Sequence, residues 1–387
     1  MDIKGRRHAD EHGSAIAWVE SPLQLLCVIE AHHAGLLGAV TRVVPRAGLP
    51  ALRLTRRALS SLDLPAGLTF EEPAGRMPKP GRTWAVGDAF SGRVQFALVT
   101  ANPGRTVLVD DGLATIHLLE LLSQRRPLLR ARVKAGIGRA VLGATAGFRL
   151  RGNRLTVFTA LPVPDDLAHA VRNTGTRLVR HDFAWLRSQP CEQPPSERTV
   201  VLGTSLVRNG LIHRDYYLDW LQSIGEPLGY YPHRREDPRD LERIAGIPGV
   251  NVHEAGVPVE ITLRDLQPHQ QVLSLPSTAV TSLRVLLSAR GVSVETVKVP
   301  DDWWTDAAPP DLRTHLQLFA HDDAGDPAVH DDAPGSALDP GSVDPGATPE
   351  SVDPGATPDP GSVDPGATPD PGSVDPGATP DPGKVPS

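Results

Sequence analysis

Apolar positions along this chain switch repeatedly between two periods. Over 14–20 a short apolar run (Ala15, Ile16, Ala17, Trp18, Val19) reads as a buried strand, and Ser21 with Pro22 then supplies an N-cap and a proline at the first helical position. Leu23, Leu25, Leu26 and Ile29 follow at helical spacing until Gly35 closes the segment. Strand patterns at 40–44, 68–71, 83–86 and 106–110 and helical patterns at 49–62, 91–100 and 113–122 continue the alternation. A helix over 130–146 and a strand over 155–161 complete it. Such a βα succession predicts a doubly wound, mostly parallel sheet.

A proline-rich stretch at 189–196 interrupts the pattern, which then starts afresh. Strands are expected at 199–204, 228–231, 250–253, 271–275 and 293–299, with helices at 214–224, 240–245 and 278–289. The expected class is therefore α/β, with two Rossmann-like domains. The organisation is a disordered start (1–13), a first domain (14–190), a linker (191–197), a second domain (198–321) and a tail (322–387). That tail has no aromatic residue, holds 15 of the 39 prolines, and repeats an eleven-residue unit from Ser351, Ser362 and Ser373. It cannot bury enough apolar surface to offset roughly 1–2 kcal/mol per residue of backbone ordering, so it is expected to be disordered.

Charge divides along the same line. Residues 321–387 carry 14 acids against one base, so a net charge of −7 hides a tail of −13 and a body of +6. The mildly basic body suits an anionic small substrate or an anionic membrane surface, and is too dispersed to argue for nucleic acid. No apolar run is long enough for a membrane span and residues 1–13 lack the apolar core of a secretion signal, so a cytoplasmic protein is expected, with association at the inner face of the membrane open. Cys27 and Cys191 have neither disulfide nor metal spacing and read as bystanders.

Candidate chemistry gathers at the carboxyl ends of expected strands, where ligands of parallel sheets bind. Asp110, Asp111 and Gly112 end one strand of the first half; His233, Arg234, Arg235 and Glu236 follow Tyr231 and Pro232 in the second; Ser277 and Thr278 end a third. A carboxylate on one wall, with a histidine and hydroxyls on the other, is what group transfer from a nucleotide-sugar needs: a base for the acceptor's proton and donors for the leaving phosphate. Each piece also fits a bland role, respectively an acidic N-cap, a solvated strand-to-helix turn and an ordinary N-cap. A capped helix start is nevertheless an anion site.

Taken together these pieces resemble a family. Ser21 to Leu26 with Glu30, then Asp110-Asp111-Gly112, Leu202-Gly203-Thr204, Asn209-Gly210-Leu211 with Tyr217 and Leu218, Tyr231 to Glu236, and Ser277-Thr278 are similar, in order, to bacterial sialyltransferases of glycosyltransferase family 52, with capsule polysialyltransferases as relatives. The resemblance covers most of residues 14–300. It implies a GT-B fold with its domains facing across a cleft, a CMP-linked sialic acid donor, an inverting transfer to a hydroxyl of a cell-surface glycan, lipid-linked acceptors included, and no cofactor or obligatory metal. Asp110 would be the general base, His233 would stabilise or protonate the leaving phosphate, and Asp111, Gly112, Ser277 and Thr278 would contact substrate. Glu260 is a candidate ribose ligand, and equally reads as a surface acid. Arg234 stands where the family has proline, so it either adds a phosphate contact or signals another donor. Two other readings stay open: a transferase using a different nucleotide-sugar, and a silent nucleotide or glycan binder.

Overall fold

The computed structural model describes residues 13–317, except 102, 131–134, 153 and 191–193. The expectations for residues 1–12, for Cys191 and for the tail lie outside the described residues.

Seven parallel strands form the first sheet: β1 (Ser14–Val19), β2 (Val40–Pro45), β3 (Leu68–Phe70), β4 (Thr83–Val86), β5 (Arg105–Val109), β6 (Leu155–Thr159) and β7 (Arg177–Arg180). Their order is β3-β2-β1-β4-β5-β6-β7, the doubly wound pattern in which the chain reverses direction across the sheet between β1 and β4. Helices α1 (Pro22–His33), α2 (Pro50–Ser60), α3 (Gly92–Ala101), α4 (Leu113–Ser123), α5 (Ile137–Leu150) and α6 (Asp165–Arg172) lie between them, and α7 (Ala184–Ser188) follows β7. The start of α1 follows the local code: Ser21 is extended, its Oγ accepts from the Gln24 amide, and Pro22 opens the helix.

The second sheet has five parallel strands, β8 (Thr199–Leu202), β9 (Leu228–Tyr231), β10 (Val250–Val252), β11 (Gln271–Ser274) and β12 (Ser293–Thr296). Their order is β10-β9-β8-β11-β12, which repeats the reversal, now between β8 and β11. Between and after these strands run α8 (Arg214–Ser223), α9 (Pro238–Ala245), α10 (Val259–Thr262), α11 (Thr278–Leu287) and α12 (Pro310–Gln317).

The strands other than β7 fall where the apolar runs predict, while several helical pieces do not. The helix expected over 130–146 runs from Ile137 to Leu150, after an extended Gly136 at its N-cap. Its later turns contain Gly143 and Gly147, poor helix formers, of which Gly143 is needed here. A Cβ on Gly143 would lie 2.8 Å from the Leu128 carbonyl oxygen, so only glycine lets the helix settle on that segment. The elements α6, β7, α7, α10 and α12 were not expected. β7 is a four-residue, half-exposed edge strand with an arginine at each end, and α7 is a single turn entered through Phe183 at φ 60°, so neither carries apolar periodicity.

The two sheets belong to one compact unit and share apolar packing. One buried cluster contains Val19, Leu25 and Ile29 of the first half with Leu202, Val280 and Leu286 of the second. Both switch points consequently open onto the same space.

Candidate active site

That space is a pocket of about 250 Å³. The first half contributes Ser21, Pro22 and Leu23 from the end of β1 and Ala51 from α2. The second contributes Gly203 from the end of β8, Tyr231 to Arg234 from β9, Val257 to Glu260, and Ser277 to Ala279 from β11 and α11. Of the residues expected at a site, His233, Arg234, Glu260, Ser277 and Thr278 line it. Asp110, Asp111 and Gly112 adjoin it across the cleft: a Cβ on Gly112, whose φ is +70°, would stand 3.1 Å from Thr278 Oγ1.

The acid pair divides into two different environments. Asp110 is 3% exposed, and its carboxylate accepts from the Thr159 hydroxyl and the Ala160 amide, each at 2.6 Å. His181 Nε2 lies 3.7 Å away, in a ring stacked on Phe158. Asp110 therefore ties the end of β5 to the ends of β6 and β7. Asp111 points the other way and is only partly covered. It accepts from Ser21 Oγ at 3.1 Å, and burial, then the neighbouring Asp88 charge, raise its pKa to about 6, against the opposing pull of Gln24, Ser21 and Arg234. The acid expected to act as base is thus the more enclosed of the two, and Asp111 is the one held by Ser21 of the pocket wall and within reach of the Arg234 charge.

On the opposite wall, the sharp turn after β9 carries His233. Its Nδ1 accepts from the Arg235 amide at 3.2 Å, which leaves the proton on Nε2. Burial first, and then Arg234 and Arg235, lower its pKa to about 4, so the imidazole is neutral at physiological pH and serves as a hydrogen-bond donor. Two residues that the sequence motifs include without a role, Gly203 and Glu236, hold this turn. The Gly203 amide donates to the Tyr231 carbonyl at 2.8 Å, and Glu236, its pKa raised by burial to about 7, accepts from the Tyr230 hydroxyl at 2.9 Å.

Ser277 stands at the N-cap of α11 but makes no capping bond, and its buried hydroxyl has no hydrogen-bond partner. The ordinary capping role is therefore not the one it fills. An unused donor, free amides at the start of a ten-residue helix, and Arg234 converge on the pocket, a set suited to one anionic group. Glu260 is fully buried beside them, its pKa raised to about 7 by desolvation and opposed by a hydrogen bond from Ser282.

Among the described residues, one group has ligand chemistry for a metal: Cys27, Asp110 and His181, with donor atoms within 4.8 Å of one another. Cys27, expected to be a bystander, lies under the acid pair, its thiol pKa raised by burial and then by the Asp110 charge. Asp88, also not anticipated, is buried, pairs with Arg130, and acts on Asp111 through its charge. Nothing local marks it in the sequence, since it becomes significant only when β4 and β5 lie side by side.

Two doubly wound sheets with a shared pocket at their switch points form a GT-B architecture. No family model matches the chain, and no curated protein does. Solved structures similar to it include UGT89C1 of Arabidopsis thaliana complexed with UDP-L-rhamnose, at a TM-score of 0.38 and 11% identity over 80% of this chain and 90% of that one. The same protein complexed with UDP gives 0.41 and 11%, over 79% and 91%. No helix of the described residues is long and apolar enough to cross a membrane.

Proposed function

We propose that this protein is an inverting glycosyltransferase that moves a sialic or related nonulosonic acid from its CMP-activated donor to a hydroxyl of a glycan. The observation that carries the reading is the pairing across one pocket of a carboxylate raised to about 6, Asp111, with an anion cradle made of Arg234, Ser277, Thr278 and the start of α11. In this reading Asp111 takes the proton of the acceptor hydroxyl as its oxygen attacks the anomeric carbon. The bond to the phosphate oxygen breaks on the opposite side. Arg234, the two hydroxyls and His233 Nε2–H then stabilise the negative charge that develops on the leaving phosphate. Glu260 is assigned to the donor's ribose. Asp110 positions β5 rather than taking the proton, because its oxygens are already held by Thr159 and Ala160.

The choice of CMP rests on the ordered motifs from Ser21 to Thr278 and on a cradle sized for one anionic group. Another nucleotide-sugar is the second reading, favoured by Arg234 at a position where proline was expected.

A thermal-shift panel separates the two: CMP should raise Tm more than UDP, CDP or GDP at equal concentration, whereas a UDP preference would replace the donor. Asp111→Asn should keep that shift while lowering transfer by roughly 10²–10⁴-fold, the usual cost of losing a general base. Should Asp110→Asn instead abolish transfer at unchanged Tm, with Asp111→Asn active, the base is Asp110.

A further inference from the structure

Among the described residues seven large apolar side chains are exposed, and four of them stand on two neighbouring helices: Phe96 of α3, 63% exposed, and Ile137, Val141 and Phe148 of α5, at 86%, 59% and 69%. With about 100° per residue, Ile137, Val141, Ala144 and Phe148 fall within an arc of about 60° on α5, and all four are exposed. The opposite face, Gly143, Ala146, Gly147 and Leu150, is buried. Because a Cβ at Gly143 would strike the Leu128 backbone, α5 cannot roll to tuck the stripe inward. This is a fixed, outward apolar ridge, about 16 Å from Ile137 to Phe148.

The charged residues of the two helices have one sign. Neither α3 nor α5 contains an acid, and their charged residues are Arg93, Arg139 and Arg149. In the sequence, residues 121–164 hold eight arginines and one lysine with no acid at all. A ridge of Ile, Val and Phe set among arginines matches an interface whose apolar layer lies beneath anionic phosphates. We infer that α5 with Phe96 is a docking face for an anionic lipid bilayer. A second copy of the chain is a poorer occupant, since a two-fold contact would bring like arginines together with no acid on either helix to pair them. Arg139 also hydrogen-bonds the Phe90 carbonyl, just beyond β4, so the face adjoins the strand end that carries Asp88. Docking would thus hold the first half's wall of the pocket at the bilayer, where a lipid-anchored acceptor presents its hydroxyl.

This inference stands apart from the transferase reading, because vesicle binding is measured without donor or acceptor. The full chain should sediment with phosphatidylcholine vesicles containing 30% phosphatidylglycerol, on the order of tenfold more tightly than with phosphatidylcholine alone, and less so as salt rises. Ile137→Glu combined with Phe148→Glu should weaken that binding at least tenfold at unchanged Tm, both side chains being exposed, and Arg149→Glu should weaken it less. Absence of binding to the anionic vesicles overturns the proposal. So does equal binding by the double variant, or a monomer–dimer equilibrium that the double variant abolishes, which would make the ridge a self-interface.

Discussion

Asp110 and Asp111 are adjacent in the chain, just past β5, and have the same chemistry, yet Asp110 meets Thr159 and Ala160 while Asp111 meets Ser21, so their environments differ. A pKa of about 6 for Asp111 sets a direction that kinetics can read. A base acts in its ionised form, so turnover should fall about tenfold per pH unit below 6 and level off above it. With His233 already neutral down to about 4, the histidine adds no ionisation to that limb, while Glu260 and Glu236, raised to about 7, titrate just above it. Arg234 lowers both values, so Arg234→Pro should weaken CMP binding and move the acidic limb to higher pH. A limb near pH 4, where an ordinary carboxylate titrates, would remove Asp111 from the proton transfer.

At the scale of elements, the pocket depends on turns that approach each other closely. Gly203, just past β8, has no freedom to carry a side chain: a Cβ there would lie 2.3 Å from Glu236 Oε1 and 2.7 Å from the His233 amide nitrogen. The first clash could be relieved by a rotamer change, but the second is with backbone. Gly203→Ala should therefore push the His233 turn away from the cradle, lowering stability by about 1–3 kcal/mol, as overpacking generally does, and weakening nucleotide affinity with it. Denaturant melts and CMP titration would measure both. Since the backbone contact persists, pairing it with Glu236→Ala should not restore affinity, and restoration would mean that the carboxylate alone was in the way.

At the scale of the whole molecule, the two Rossmann-like halves share apolar packing. Because Leu25 and Ile29 pack in the same buried cluster as Val280 and Leu286, neither sheet can lose its core without exposing the other's. Calorimetry should show one cooperative transition, with calorimetric and van't Hoff enthalpies in agreement, and CMP should shift that whole transition upward. Two resolved transitions would mean that the halves unfold separately.

How much of this was legible in the chain follows from where the information resides. Strands such as Thr199–Leu202 and helix starts such as Ser21-Pro22 are specified by residues within one turn of each other, so periodicity and capping chemistry were enough to place them. The same local signals placed Ser277, Thr278, His233 and the acid pair at strand ends. The strand order that turns those ends into one pocket arises from pairings between residues tens of positions apart. Only those pairings decide that Ser277 Oγ is left without a partner, that Asp110 is enclosed by Thr159 and Ala160 while Asp111 faces Arg234, and that Asp88 stands beside them. They also decide that Ile137 and Phe148 face outward, because α5 meets the body through Gly143, Ala146, Gly147 and Leu150. Side-chain identity and local spacing thus determined which groups could do chemistry, and tertiary packing, by setting burial and neighbouring charge, decided which of them are free to do it.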